Sequence, residues 1–234
     1  GYDSVTVDIQ HGALDYSDVL PMFQAMQSSG ATLIARVPWR DPGYIMKALD
    51  VGAMGIICPM INNSEEAAEF ISYMRYPPLG QRSFGPTRVA VSVPDYGVEA
   101  NDEVLAFVMI ETADGVQNLE AIAATAGLDG IYVGPADLTL GTQLGRLAPG
   151  LDRTEDEMVT LIQKVASVCK EYGLIAGIHC GTAEYASKAI GWGYNLTTIG
   201  GDTRLLASAA AASVSSWRKL TGRKEKVQVT GGVY

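Results

Sequence analysis

The chain has 234 residues, 47% of them hydrophobic and 18% charged, enough for one sizeable core and within the usual length of a single α/β domain. Its net charge of −9 argues against nucleic acid or an anionic membrane surface as the main partner, and it holds no run of about 18 apolar residues that would cross a bilayer. Cys58, Cys169 and Cys180 form neither a CxxC pair nor an even framework, which points to a reducing, cytoplasmic setting.

Taken in order, Ser4 to Ile9 reads as a strand running out at His11, followed by Asp15–Asp18 as caps for a helix over about Val19 to Gln27. Thr32 to Val37 is a second strand, reaching Arg36, Pro38, Trp39 and Arg40; Asp41-Pro42 opens a helix that runs to about Leu49, with Asp50 at its end. Gly55 to Cys58 is a short strand leading to Pro59-Met60, and Ser64 starts a helix to about Met74. Tyr76 to Asn101, rich in Pro and Gly and carrying Arg82, Ser83 and Arg88, reads as a long irregular segment, a class that is usually functional or mobile. A strand from Ala106 ends near Glu111, a helix covers about Gly115 to Ala124, and a strand from Gly130 to Val133 meets Gly134-Pro135-Ala136-Asp137.

Thr139 to Gly150 reads as a loop with a short helical start, and Thr154-Glu155-Asp156-Glu157 as a capping box for a helix to Tyr172. Leu174 to Ile178 is a strand ending at His179, Thr182 to Ile190 a helix, Leu196 to Ile199 a strand, and Asp202 caps an Ala/Ser-rich helix to about Leu220. Seven βα units imply a parallel sheet, and the expected fold is a TIM (β/α)8 barrel whose remaining strand would precede Gly1. An open doubly wound sheet is the alternative, but its Gly-rich fingerprint after the first strand is absent. One domain over residues 1–220 and a tail over 221–234 are expected.

In a barrel, chemistry sits at the C-terminal ends of the strands. Glu111 and Asp137 both fall there, and two carboxylates suit a hard divalent cation whose other ligands are water or substrate. Gly134, Pro135 and Ala136 open a helix whose first amides welcome an anion. No lysine stands at a strand end, since Lys47 and Lys188 lie in helices, so a Schiff-base route has no support.

Val7-Asp8-Ile9-Gln10-His11-Gly12, Ala35-Arg36-Val37-Pro38, Leu49-Asp50-Val51-Gly52-Ala53, Pro59-Met60, Gly80-Gln81-Arg82-Ser83, Ile110-Glu111-Thr112 and Gly134-Pro135-Ala136-Asp137-Leu138 stand in an order and spacing that resembles the HpcH/HpaI aldolases, metal-dependent enzymes acting on 2-keto acids. The resemblance covers roughly Gly1 to Leu220 and implies a TIM barrel, a homo-hexamer, and a C-terminal helix exchanged between neighbours. It implies an enzyme, a class II carbon–carbon lyase that cleaves or forms 4-hydroxy-2-oxo acids through a pyruvate-type enolate and an aldehyde. The implied cofactor is a divalent metal, Mg²⁺, Mn²⁺ or Co²⁺, on Glu111 and Asp137.

The catalytic expectations are Arg36 on the keto oxygen and His11 as general acid/base, paired with Asp50. A metal-bound water positioned by His11 is the alternative base. Substrate contacts are expected from Gly134, Pro135, Ala136, Trp39, Arg82 and Ser83, while His179 reads as structural or pocket-lining. Two departures stand out: Gln10 replaces a frequent Glu, and Met109 replaces a frequent Gln. Met109 resembles the variant in macrophomate synthase and in some hydroxypyruvate-accepting aldolases, which keeps open oxaloacetate decarboxylation or bond formation on a non-aldehyde acceptor. A non-catalytic barrel binding a keto acid is the rival of another class.

Overall fold

A computed structural model describes residues 1–224; the expected tail beyond Leu220 falls mostly outside the described residues. Seven parallel strands, β1 (Ser4–Asp8), β2 (Thr32–Arg36), β3 (Gly55–Cys58), β4 (Leu105–Ile110), β5 (Gly130–Val133), β6 (Ile175–Ile178) and β7 (Leu196–Thr197), pair in strict sequence order. That order is what repeated βα units produce when every crossover has the same hand. The sheet is curled, and β1 and β7 are its edges among the described residues.

Both faces of the sheet are apolar, and the alternation along each strand sorts them. Val7, Ala35, Ile56, Val108, Ile131 and Ile178 face outward and join the helices in one large core. Ile34, Ile57, Phe107, Met109 and Tyr132 face the concave side and form a separate cluster. Continuous apolar strands of this kind belong to sheets buried on both faces.

The helices are α1 (Tyr16–Met26), α2 (Pro42–Asp50), α3 (Ser64–Met74), α4 (Val89–Ser92), α5 (Tyr96–Glu103), α6 (Ala113–Gln117), α7 (Leu119–Ala123), α8 (Pro135–Gln143), α9 (Asp156–Glu171), α10 (Ala183–Gly191) and α11 (Asp202–Leu220). Asp15 and Asp18 form a reciprocal capping box on α1, and the Asp41 carboxylate accepts from the Tyr44 amide at the start of α2.

Local structure departs from the sequence expectation in four places. The segment 76–101 holds α4 and starts α5, because Val89, Tyr96 and Ala100 are buried at helical spacing. The helix over 113–124 is two pieces broken at Asn118, whose side chain donates to the Asn62 carbonyl (2.8 Å). Thr154 does not cap α9: the Glu155 carboxylate is held by Arg153 (3.0 and 2.6 Å) and accepts from the Thr154 amide (3.2 Å). Asp202 is the first residue of α11, not its cap, which is Gly201.

Candidate active site

Parity within the strands decides what reaches the mouth of the curled sheet. Arg36 follows Ile34 on the concave side, and Glu111 follows Met109. Asp8 lies opposite Arg36 in the β1–β2 register and takes its guanidinium as a fork, from Nε at 2.9 Å and Nη2 at 2.5 Å. Planar bidentate pairing of this kind fixes orientation as well as charge. Burial alone would lower the Arg36 pKa, but the hydrogen bond and charge of Asp8, with Tyr132 and Glu111, offset it and the net shift is upward. The Arg36 Nη1 donates to no described residue. Asp8 Oδ1 also accepts from the Gln10 amide at 3.0 Å, which folds the chain back just after β1.

Glu111 is 1% exposed. Its Oε1 accepts from the Met60 amide at 2.8 Å, while Oε2 is buried with no partner. Burial raises its pKa to about 7; the Met60 amide opposes this, the Asp137 charge adds to it, and Arg36 lowers it. Met60 offers its amide from a left-handed backbone, φ 59°, a conformation that costs a side-chain-bearing residue about 1–2 kcal/mol. Asn62 holds that turn: its Nδ2 donates to the Met60 carbonyl (2.9 Å), and its Oδ1 accepts from the Thr112 hydroxyl (2.5 Å).

Gly134 is the N-cap of α8 and Pro135 its first helical residue. A Cβ at Gly134 would meet Glu111 Oε2 at 2.6 Å and the Met109 methyl at 2.8 Å, so only glycine leaves the free carboxylate oxygen its space. Ala136 and Asp137 stand in the first turn of α8, where amide N–H groups have no helical acceptor. Asp137 is half-buried. Among the described residues no three His, Cys, Asp or Glu side chains converge to hold a metal ion; the protein offers two carboxylates, one with an oxygen left over. A hard cation completed by solvent or substrate fits that donor set.

The other expected residues are less gathered. His11 is exposed, and its side chain makes no hydrogen bond to a described residue. Asp50 does not pair with it, because its Oδ1 accepts from Arg82 Nη2 at 2.7 Å. Arg82 is buried, which separates it from a mobile substrate-closing loop, while its neighbour Ser83 is exposed. Trp39 is on the rim and exposed, and Arg40 pairs with Glu66 (3.2 Å) and Glu69 (2.7 Å). Asp8 and Met60 stand in the quoted motifs without an assigned role, and Asn62 in none; the signal for Asp8 is an acid closing an apolar strand. A cavity of about 600 Å³ bordered by Thr32, Leu33 and Leu105 opens at the other end of the sheet and includes none of these residues.

The comparisons with known proteins agree with this geometry. The HpcH/HpaI aldolase/citrate lyase family profile matches residues 1–209. The chain belongs to that family. It is 37% identical over 220 residues to the hydroxypyruvate/pyruvate aldolase of Rhizorhabdus wittichii, covering 94% of this chain and 86% of that protein. It is 31% identical to the 5-keto-4-deoxy-D-glucarate aldolase of Klebsiella pneumoniae, covering 94% and 85%. A crystal structure of an HpcH/HpaI aldolase/citrate lyase family protein from Burkholderia cenocepacia superposes with a TM-score of 0.84 at 32% identity, over 93% of this chain and 86% of that one. The protein is an enzyme, a carbon–carbon lyase with the α/β fold of these aldolases.

Proposed function

We propose that the protein is a class II aldolase that interconverts a 4-hydroxy-2-oxo acid with an aldehyde and pyruvate or hydroxypyruvate. The observation that carries this reading is the buried, unpartnered Oε2 of Glu111, kept clear by Gly134 and sharing the mouth with Arg36 and Asp137. A divalent cation, Mg²⁺, Mn²⁺ or Co²⁺, held by Glu111 and Asp137 would supply Lewis acidity toward the keto and carboxylate oxygens of the substrate. Arg36, clamped by Asp8, directs Nη1 at the keto oxygen and stabilises the negative charge that grows there. The Ala136 and Asp137 amides take the substrate carboxylate at the start of α8.

In cleavage, the C4 hydroxyl loses its proton to His11, the C3–C4 bond breaks to give the aldehyde, and its electron pair enters the enolate. Return of a proton to C3 completes the keto acid. The name of the R. wittichii relative, hydroxypyruvate/pyruvate aldolase, supports these donors.

Met109 supports a second reading. It is fully buried and places its methyl beside Gly134 and the free oxygen of Glu111. An apolar wall there suits the same enolate arising by oxaloacetate decarboxylation, or adding to a non-aldehyde acceptor. Product analysis separates the two. Pyruvate and glycolaldehyde giving a metal-dependent aldol supports the first reading. Oxaloacetate consumption without any aldol supports the second.

We also propose a homo-oligomer, a hexamer with exchanged C-terminal helices. α11 has no buried residue and exposes Leu206 (73%) and Leu220 (83%), an apolar stripe that a monomer would leave wet. The three cysteines are free and buried, which supports a reducing, cytoplasmic setting.

A further inference from the structure

The parallel register places one more side chain at the level of Glu111. Met109 pairs with Tyr132, Tyr132 with Gly177 and Gly177 with Leu196 across β4 to β7. Two residues further along each strand the same tier reads Glu111, Gly134, His179 and Thr198, all on the concave side by alternation. Gly177, below His179, has no side chain because the Tyr132 ring fills that space; a Cβ there would meet it at 2.6 Å. His179 therefore stands over a ring-packed floor, with its amide donating to the Val133 carbonyl (3.0 Å). Glu111 and His179 flank the bare Gly134 from two strands away, about 10 Å across.

Within this tier the polar groups differ in what they have left to give. Thr198 is spent on Cys180, accepting from its amide (2.8 Å) and donating to its carbonyl (3.2 Å). The half-buried His179 ring makes no hydrogen bond to any described residue. Arg36, Asp8, Asp152 and Arg204 are the charged groups near it; burial and the two arginines favour the neutral imidazole. A neutral ring has one donor and one acceptor nitrogen. The keto-acid functions assigned above lie with Glu111, Asp137, Arg36 and the α8 amides, which leaves the β6 side of Gly134 for the other reactant.

We propose that His179 lines the acceptor subsite and hydrogen-bonds a hydroxyl on the acceptor aldehyde, so that the enzyme favours hydroxyaldehydes over alkyl aldehydes. The inference rests on the aldolase reading given above. A site built to hydrogen-bond a substrate hydroxyl discriminates against the analogue that lacks it, because the site's own polar group is then stranded.

The test compares glycolaldehyde with propanal as acceptors for pyruvate in the metal-loaded enzyme, together with its His179→Ala and His179→Gln variants. Pyruvate C3 proton exchange is measured in each. For His179→Ala, KM for glycolaldehyde should rise about tenfold while propanal kinetics and proton exchange stay within about twofold. His179→Gln, which keeps a donor and an acceptor, should recover much of the loss, and it carries the test if the alanine variant does not fold. Equal losses for both aldehydes, or no change for either, would overturn the assignment while unaltered proton exchange left the aldolase reading standing. Wild-type enzyme that shows no proton exchange with any keto-acid donor would overturn both.

Discussion

Arg36 and Arg82 are each tied to an aspartate, and they differ in how much of the guanidinium is left uncommitted. Arg36 gives two donors to Asp8, and its Nη1 donates to no described residue. The Arg82 side chain is 0% exposed. It donates to Asp50 (2.7 Å) and to the Tyr96 hydroxyl (2.9 Å), and its guanidinium lies 4.4 Å from the Tyr76 ring centre and 5.4 Å from that of Tyr96. Arg82 thereby ties the end of α2 to the 76–103 segment and to α5 within it. Stacking and full desolvation make it an anchor; the edge that Arg36 leaves uncommitted beside a buried carboxylate is what the proposed chemistry uses.

The comparison breaks if the two arginines can be exchanged in effect. Arg36→Met should lower aldol turnover by about a thousandfold, the scale of losing one preorganised donor to a developing oxyanion, while thermal unfolding shows a folded protein. Arg82→Met should do the reverse. Leaving the half-buried Asp50 carboxylate without its partner should cost about 1–3 kcal/mol in a denaturant titration, with kcat per folded molecule within about fivefold of wild type. Activity loss from Arg82→Met at unchanged stability would move Arg82 into the site.

The two carboxylates beside Arg36 sharpen the contrast. Asp8 is satisfied, whereas Glu111 is not. For a carboxylate whose pKa rises on folding from 4.5 to about 7, ionisation opposes folding. The penalty is absent below about 4.5, grows through that window, and reaches at most about 3 kcal/mol above neutrality. Metal-free Glu111→Gln should therefore be more stable than wild type at pH 8 and no more stable at pH 4.5, as read by melting temperature. Metal affinity in the wild type should fall about tenfold per pH unit below about 7, with a proton released on binding, measurable by calorimetry in two buffers. The smallest effect is expected for Asp8→Asn. It keeps the shape of the Arg36 clamp and loses its charge, for about a tenfold drop in kcat.

Much of this was legible from strand ends. Arg36, Glu111 and Gly134 each close a short apolar run, and a parallel sheet collects such ends at one edge. What was not legible depends on register or on distant partners. Asp8 faces Arg36 because β1 and β2 align those two residues, 28 positions apart. Asp50 goes to Arg82, 32 positions away, so the pairing with His11 implied by resemblance is not the one the structure makes. Met60 adopts a left-handed turn that a methionine does not advertise. His179 reads as structural or pocket-lining, and its tier with Glu111 appears only when the strands are laid side by side. The helices within 76–103 were masked by Pro and Gly at their borders.

The most direct test of the central claim is pyruvate C3 proton exchange in D₂O, followed by NMR. It should be run with Mg²⁺ or Mn²⁺, with EDTA, and with Glu111→Ala. Exchange that needs both the cation and Glu111 is the expected result. Exchange that persists in EDTA or in Glu111→Ala would contradict it and remove Glu111 from the chemistry.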